Sequence, residues 1–346
     1  MRARDLIFGV LAVILLAGYI VLGQRVALLL LPSAASSPTP ARPTGKVPAP
    51  TISGTIAFIL RGDVFVVTGG HYASRTDEGR SQTPALSPDG QTLYFSRVES
   101  IDGKSVVDGQ TVPARLGFSN VISRPVGGGA EEILFNGLTK AANGFHAVHW
   151  YLSPAPSPDG KRLAVIEADT DGSSDLLLYD LTTKKPPLIL SNGADWTDPA
   201  WSPDGKTIVV TAYDSGAPEL LLKPADGGLR ATPIAGLPAG EPYRPTFSPD
   251  GKWIVYTLRH DGKNDLHAFE LATKRDVALT SDGQSWNPAF SPDGTQLAFL
   301  RAQAFTIDLW VMDLGTMLTA GGAPKAATRI TNGEGVDGAN RPSWSR

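Results

Sequence analysis

The chain has 346 residues, 31 Lys and Arg against 34 Asp and Glu, a net charge of −3 and no cysteine. Structural disulfides, a cysteine nucleophile and a cysteine-linked lipid anchor are thereby excluded. The first 50 residues carry a net +4, leaving −7 on the remainder, a balance that argues against nucleic acid and anionic lipid as ligands of the larger part.

The N-terminus differs from everything after it. Arg2 and Arg4 precede the uncharged stretch Leu6–Gly23, and Val26–Leu31 continues the apolar run after Gln24 and Arg25. Eighteen apolar residues at about 1.5 Å each span about 27 Å, the thickness of a bilayer core. Residues 1–31 are expected to be a transmembrane signal-anchor, with the N-terminus in the cytoplasm and the rest outside. The competing expectation is a signal peptide cleaved at the small-residue site Ser33-Ala34-Ala35, which would release a secreted or periplasmic protein. Residues 32–50, rich in Pro, Ser, Ala and Thr, read as a semi-extended linker.

From residue 51 onward the chain repeats itself. Pro-x-x-Ser-Pro-Asp-Gly starts at Pro84, Pro154, Pro199, Pro245 and Pro288, and a shortened copy starts at Pro342. Ser-Pro-Asp-Gly is the residue order of a type I turn, since Pro presets φ and Gly accepts the exit conformation. Each turn leads into an apolar run: Leu93-Tyr94-Phe95, Leu163–Ile166, Ile208–Val210, Ile254–Tyr256 and Leu297–Leu300. Runs that are apolar at consecutive positions fit strands buried on both faces. A third strand follows from Asp175, Glu219, Asp265 and Asp308, and a weaker fourth strand precedes the next phrase. Four strands per repeat at this period make a β-propeller blade.

The stretches from Thr55 and Asp63 match a second and a third strand, while Pro342–Arg346 matches an inner strand without a blade. The two fragments complement each other, so the expectation is all-β: a six-bladed propeller over 51–346 whose first and last strands share one blade, preceded by one transmembrane helix. Closure of this kind leaves no open sheet edge.

The phrase, with its Ile-Ala-Phe-like second strand and its Asp-Leu-x-x-x-Asp-Leu-like third, resembles the WD-like PD40 repeat of the TolB family over roughly 51–346. The resemblance implies a propeller that docks proteins of the cell envelope at its funnel opening. TolB proteins carry an α/β domain ahead of the propeller, where this chain has an apolar segment and a Pro-rich linker.

The blade links end at the rim of the funnel with Gln82-Thr83, Leu152-Ser153, Trp196-Thr197-Asp198, Tyr243-Arg244, Trp286-Asn287 and Asn340-Arg341. Trp, Tyr and Arg dominate interface hot spots. Trp196, Asp198, Tyr243, Arg244, Trp286, Asn287 and Arg341 are therefore the candidate partner-binding residues. The structural alternative is that Trp196, Tyr243 and Trp286 plug gaps between blades. Insertions at 97–118 and 136–152 enlarge connections on the same face as this rim, and a third at 315–324 lies on the Ser-Pro-Asp-Gly face. Long loops on a rigid scaffold are where binding usually resides.

The motifs of catalysis are missing. No Gly-x-Ser-x-Gly occurs, and the adjacent Asp-Gly of the turns does not fit a sialidase Asp-box. His146 and His149 are spaced H-x-x-H, which on a strand points the rings to opposite sides. Asp169-Thr170-Asp171-Gly172, with Asp175 beyond, has some likeness to a calcium loop but reads as turn chemistry. The expectation is a non-enzymatic module without cofactor or metal, binding envelope proteins, with a glycan or cell-wall ligand as the alternative and a propeller hydrolase or lyase as the third reading.

Overall fold

The computed structural model describes residues 45–46, 52–107, 110–140, 146–169, 172–191, 195–213, 216–228, 230–315, 318 and 326–346. Their regular elements are strands, forming a β-propeller within one compact unit, Pro43–Arg346. The expected anchor over 1–31 and nearly all of the linker lie outside the described residues. Among those described, no helix is long and apolar enough to cross a membrane.

Each repeat is a four-strand antiparallel meander. Trp196–Trp201, Thr207–Ala212, Glu219–Pro224 and Thr232–Pro233 form one free-standing sheet. Glu241–Phe247, Trp253–His260, Lys263–Glu270 and Asp276–Ala278 form the next, and Ser285–Phe290, Gln296–Gln303, Thr306–Asp313 and Thr328–Arg329 a third. A five-stranded sheet joins the two ends of the unit: Thr55–Leu60 pairs on one side with Asp63–Thr68 and on the other with the terminal strand Ser343–Ser345. Trp344 donates its indole N–H to the Ser53 carbonyl at 2.7 Å, fastening this closure.

The remaining two repeats depart from the sequence expectation of six separate blades. They form one eight-stranded sheet, so four sheets stand alone and the fifth is double. The insertion at 97–118 is the reason. It is not a loop but the outer part of a hairpin of two 16-residue strands, Thr92–Val107 and Gln110–Pro125, in continuous register from Thr92 opposite Pro125 to Val107 opposite Gln110. The second of these meets the next inner strand, Trp150–Pro156, at a single parallel pairing of Ser119 with Trp150. The second insertion forms a small two-stranded sheet, Leu138–Lys140 with His146–Val148. Most of the third lies outside the described residues.

The core is a ring of apolar clusters, each shared by two consecutive repeats. Ile59 and Val64 pack with Leu93 and Phe95, Val121 with Leu163, and Ala164 with Ile208. Val209 packs with Tyr256, and Val255 with Phe299. The last cluster returns from Leu300 and Leu309 to Ile56 and Phe58, so the ring has no end. Both faces of the second and third strands are covered, which is why their apolar residues are consecutive rather than alternating.

The Ser-Pro-Asp-Gly turns are locked the same way in every copy. In the third copy Ser202 donates its hydroxyl to Asp204 Oδ1 at 2.6 Å, which also accepts the Lys206 N–H at 3.0 Å, and Thr207 N–H donates back to Ser202 Oγ at 3.0 Å. Gly205 closes the turn at φ 69°, a left-handed value that favours glycine. The serine hydroxyls hold Asp89, Asp159, Asp204 and Asp293 below the usual carboxylate range. At Asp250 partial burial opposes this, and the bonds from Ser248 and the Lys252 N–H prevail.

A candidate binding site at the channel mouth

Five of the inner strands carry a β-bulge at the residue before the repeated proline. Thr83, Ser153, Asp198, Arg244 and Asn287 all sit there with φ between 46° and 60°. Left-handed backbone at non-glycine residues costs of order 1–3 kcal/mol each and persists where the surroundings overdetermine it. Here they do. Arg244 N–H donates to Thr211 Oγ1 at 3.1 Å and Asn287 N–H to Thr257 Oγ1 at 3.1 Å, in each case a fully buried threonine of the preceding repeat. Ser153 N–H donates to Thr83 Oγ1 at 3.2 Å, and Thr83 N–H to Asn340 Oδ1 at 2.6 Å. At these four positions the bulge turns the N–H away from its own ladder and stitches it to the neighbouring repeat.

Five of the predicted rim residues meet in one network. Arg244 Nη1 donates to Asn287 Oδ1 at 2.7 Å, and its Nε lies 3.6 Å from Asp198 Oδ1. Asn287 Nδ2 and Trp286 Nε1 both donate to the Gly338 carbonyl, at 3.1 and 2.8 Å. Gly338 must be small: a Cβ there would stand 2.7 Å from Ile307 Cδ1 and 3.2 Å from Trp286 Cζ2. Arg341 reaches across from the terminal segment and donates to the Pro245 carbonyl at 2.6 Å and the Pro199 carbonyl at 3.2 Å. Burial lowers the Arg341 guanidinium below its usual value; Asp198 opposes this and Arg244 adds to it. Among the described residues Arg341 makes no ion pair.

The other two predicted residues lie apart from this network. Trp196 is 6% exposed and packs in the apolar cluster with Ile166, Leu176 and Ile208, so it fills an inter-blade gap rather than the rim. Tyr243 is half-buried beside Arg244, and burial pushes its hydroxyl up to about 12.

The threonines beneath the bulges escaped the sequence reading, although each bulge announces itself as the residue before a repeated proline. A second recurring device also escaped it. Asp63, Asp175, Asp265 and Asp308 open third strands and accept hydroxyl bonds from Thr76, Ser191, Thr280 and Thr331, as the spacing of Asp with a later Ser or Thr in each repeat could have suggested. Asp175 is thus part of blade construction. Asp171 lies outside the described residues.

Residues 139–281 match the family model described as the TolB beta propeller domain, PD40. TolB from Acinetobacter baumannii superposes with a TM-score of 0.62 at 20% identity, over 86% of this chain and 68% of that one. A putative TolB from Agrobacterium tumefaciens gives 0.57 at 18% identity, over 84% and 92%. A prolyl endopeptidase structure gives 0.51 at 14% identity, over 84% of this chain but 43% of that one. At these identities the superpositions speak for the fold alone, a β-propeller, and within it residues 139–281 are similar to the PD40 repeats of the TolB propeller.

Proposed function

We propose that the chain is a docking module of the cell envelope, held at the membrane by residues 1–31, whose channel mouth receives a protein partner presenting a carboxylate. The observation that carries this is the Arg341 guanidinium, drawn into the channel among backbone carbonyls without an ion-pair partner among the described residues, next to an Arg244 that faces one aspartate. Two guanidiniums against one carboxylate leave local positive charge on an otherwise acidic domain, and buried charge-assisted bonds to Arg are strong and directional. The extended hairpin at 92–125 and the fully exposed Phe305 stand at second-to-third strand connections, on the same face as this mouth. The module is read as non-catalytic. Its placement outside the cytoplasm rests on Arg2 and Arg4 ahead of Leu6–Gly23.

The test is capture from native membrane extract by the full chain, beside an Arg244→Gln/Arg341→Met variant whose melting temperature is measured first. A partner retained by the native protein and lost by the folded variant supports docking at the mouth. Equal retention by both would refute that placement.

A further inference from the structure

Antiparallel pairing of Trp150 with Ala168 and of Tyr151 with Glu167 sets His149 opposite Asp169, one step further along. By the two-residue period of a strand, His149, Tyr151, Glu167 and Asp169 share one face of this pair. His149 Nδ1 lies 2.8 Å from Glu167 Oε1 and 3.9 Å from Asp169 Oδ1. One ligand atom from each residue can be chosen so that all lie within 4.8 Å of one another. Nδ1 is closed off from solvent, yet among the described residues makes no hydrogen bond of acceptable geometry despite the nearness of Glu167. An imidazole nitrogen and two carboxylates that converge with no hydrogen bond to that nitrogen are arranged as ligands around a common point.

The surroundings are built to hold that arrangement. The His149 N–H donates to the Gly137 carbonyl at 2.8 Å, and its carbonyl accepts from the Ser119 N–H at 3.1 Å. Gly137 is required there, because a Cβ would fall 2.2 Å from the Ser119 oxygen and 2.5 Å from that of His149. The far ring nitrogen, Nε2, stands 3.4 Å from Thr139 Oγ1, a partner that leaves Nδ1 as the ligating atom. Tyr151 stacks on the imidazole at 5.9 Å and hydrogen-bonds Glu167 through its hydroxyl. Ligand and supporting residues thus come from the second insertion and from the repeat it leads into.

We propose that His149, Glu167 and Asp169 bind a divalent transition-metal ion, of which zinc fits best. Imidazole disfavours magnesium and calcium, and a set of one nitrogen and two oxygen donors with a fourth position open to water is within the range of zinc sites. The His146 and His149 pair does not form the site. His146 lies in the small sheet opposite Lys140, and the partners of His149 are the two carboxylates of the facing strand.

The experiment uses the full chain, stripped of metal, titrated with Zn2+ in a calorimeter and with Co2+ as the optical probe. The expected result is saturable uptake of one equivalent. Asp169→Asn changes an exposed side chain and should weaken uptake at least tenfold without altering the metal-free melting temperature. Tyr151→Phe removes only the hydroxyl on Glu167 and should weaken it by about tenfold or more. His146→Ala should bind as the native protein does. Absence of saturable uptake would overturn the proposal, as would uptake indifferent to Asp169→Asn and Tyr151→Phe or uptake lost with His146→Ala.

Discussion

Replacing Asp308 by alanine should be the most damaging change among the aspartates that open third strands. Asp308 is fully buried. Its Oδ1 accepts the Thr331 hydroxyl at 2.8 Å and the Gly333 N–H at 2.7 Å, and its Oδ2 accepts Thr306 at 3.0 Å and the Arg329 guanidinium. Burial pushes this carboxyl up, the four bonds pull it down, and the bonds win, so it stays below its usual range. Removing one partner of such a buried pair costs about 3–5 kcal/mol, and the part-exposed Arg329 can recover some of that in water. We take about 4 kcal/mol. For a unit of about 300 residues an unfolding entropy of about 2.1 cal/mol/K per residue gives about 0.6 kcal/mol/K, hence a fall of about 6 °C in Tm. Asp265 accepts the equivalent bonds from Thr280 at 2.8 Å and Gly283 at 3.0 Å but keeps some solvent exposure. Asp265→Ala should therefore cost about 2 kcal/mol, a fall of about 3 °C. Calorimetry on the purified native and variant proteins reads both shifts. A drop below about 2 °C for Asp308→Ala, or one no larger than that of Asp265→Ala, would refute the argument that burial and the guanidinium set the cost.

Two further outcomes are expected. Deletion of residues 340–346 removes the strand paired with Thr55–Leu60, the Trp344 indole bond, and the Asn340 and Arg341 bonds across the channel. At about 1 kcal/mol per hydrogen bond plus the lost packing of Trp344, Tm should fall by about 10 °C, and a Tm within about 2 °C of native would refute the closure. Acid should act through the Ser-Pro-Asp-Gly turns. Their aspartates titrate lower in the folded protein than in the unfolded chain, so the stability they contribute is complete above about pH 5 and is lost as pH falls through their depressed folded values. Ser202→Ala should flatten the fall of Tm between about pH 5 and pH 3, and a slope equal to that of the native protein would count against this account.

What the sequence discloses here depends on whether a feature recurs. Pro-x-x-Ser-Pro-Asp-Gly recurs, and its turn, the buried strand after it and the sharing of the terminal strand all follow from local chemistry repeated at a fixed period. The left-handed bulges recur too. They were hidden because a residue before proline ordinarily avoids the α region, and the support comes from a side chain of another repeat, such as Thr211 under Arg244 or Asn340 under Thr83. The hairpin at 92–125 appears once, and its length as an insertion carries no sign that it would stay in register as strand and draw two repeats into one sheet. Trp196 and Trp286 show the limit most plainly. They occupy equivalent positions before the bulge, one against Ala212 and the other against Leu300. Small Ala212 leaves room for the Trp196 ring to sink among Ile208 and Leu176. Trp286 instead lies at the edge of the last cluster, where it finds the Gly338 carbonyl. The residue that decides between core and rim is the cross-strand neighbour, two dozen positions or fewer away but opposite only once the strands are paired. For that reason the charged members of the candidate site, fixed by bonds between repeats, were nameable from position, while the fate of the aromatics waited on packing.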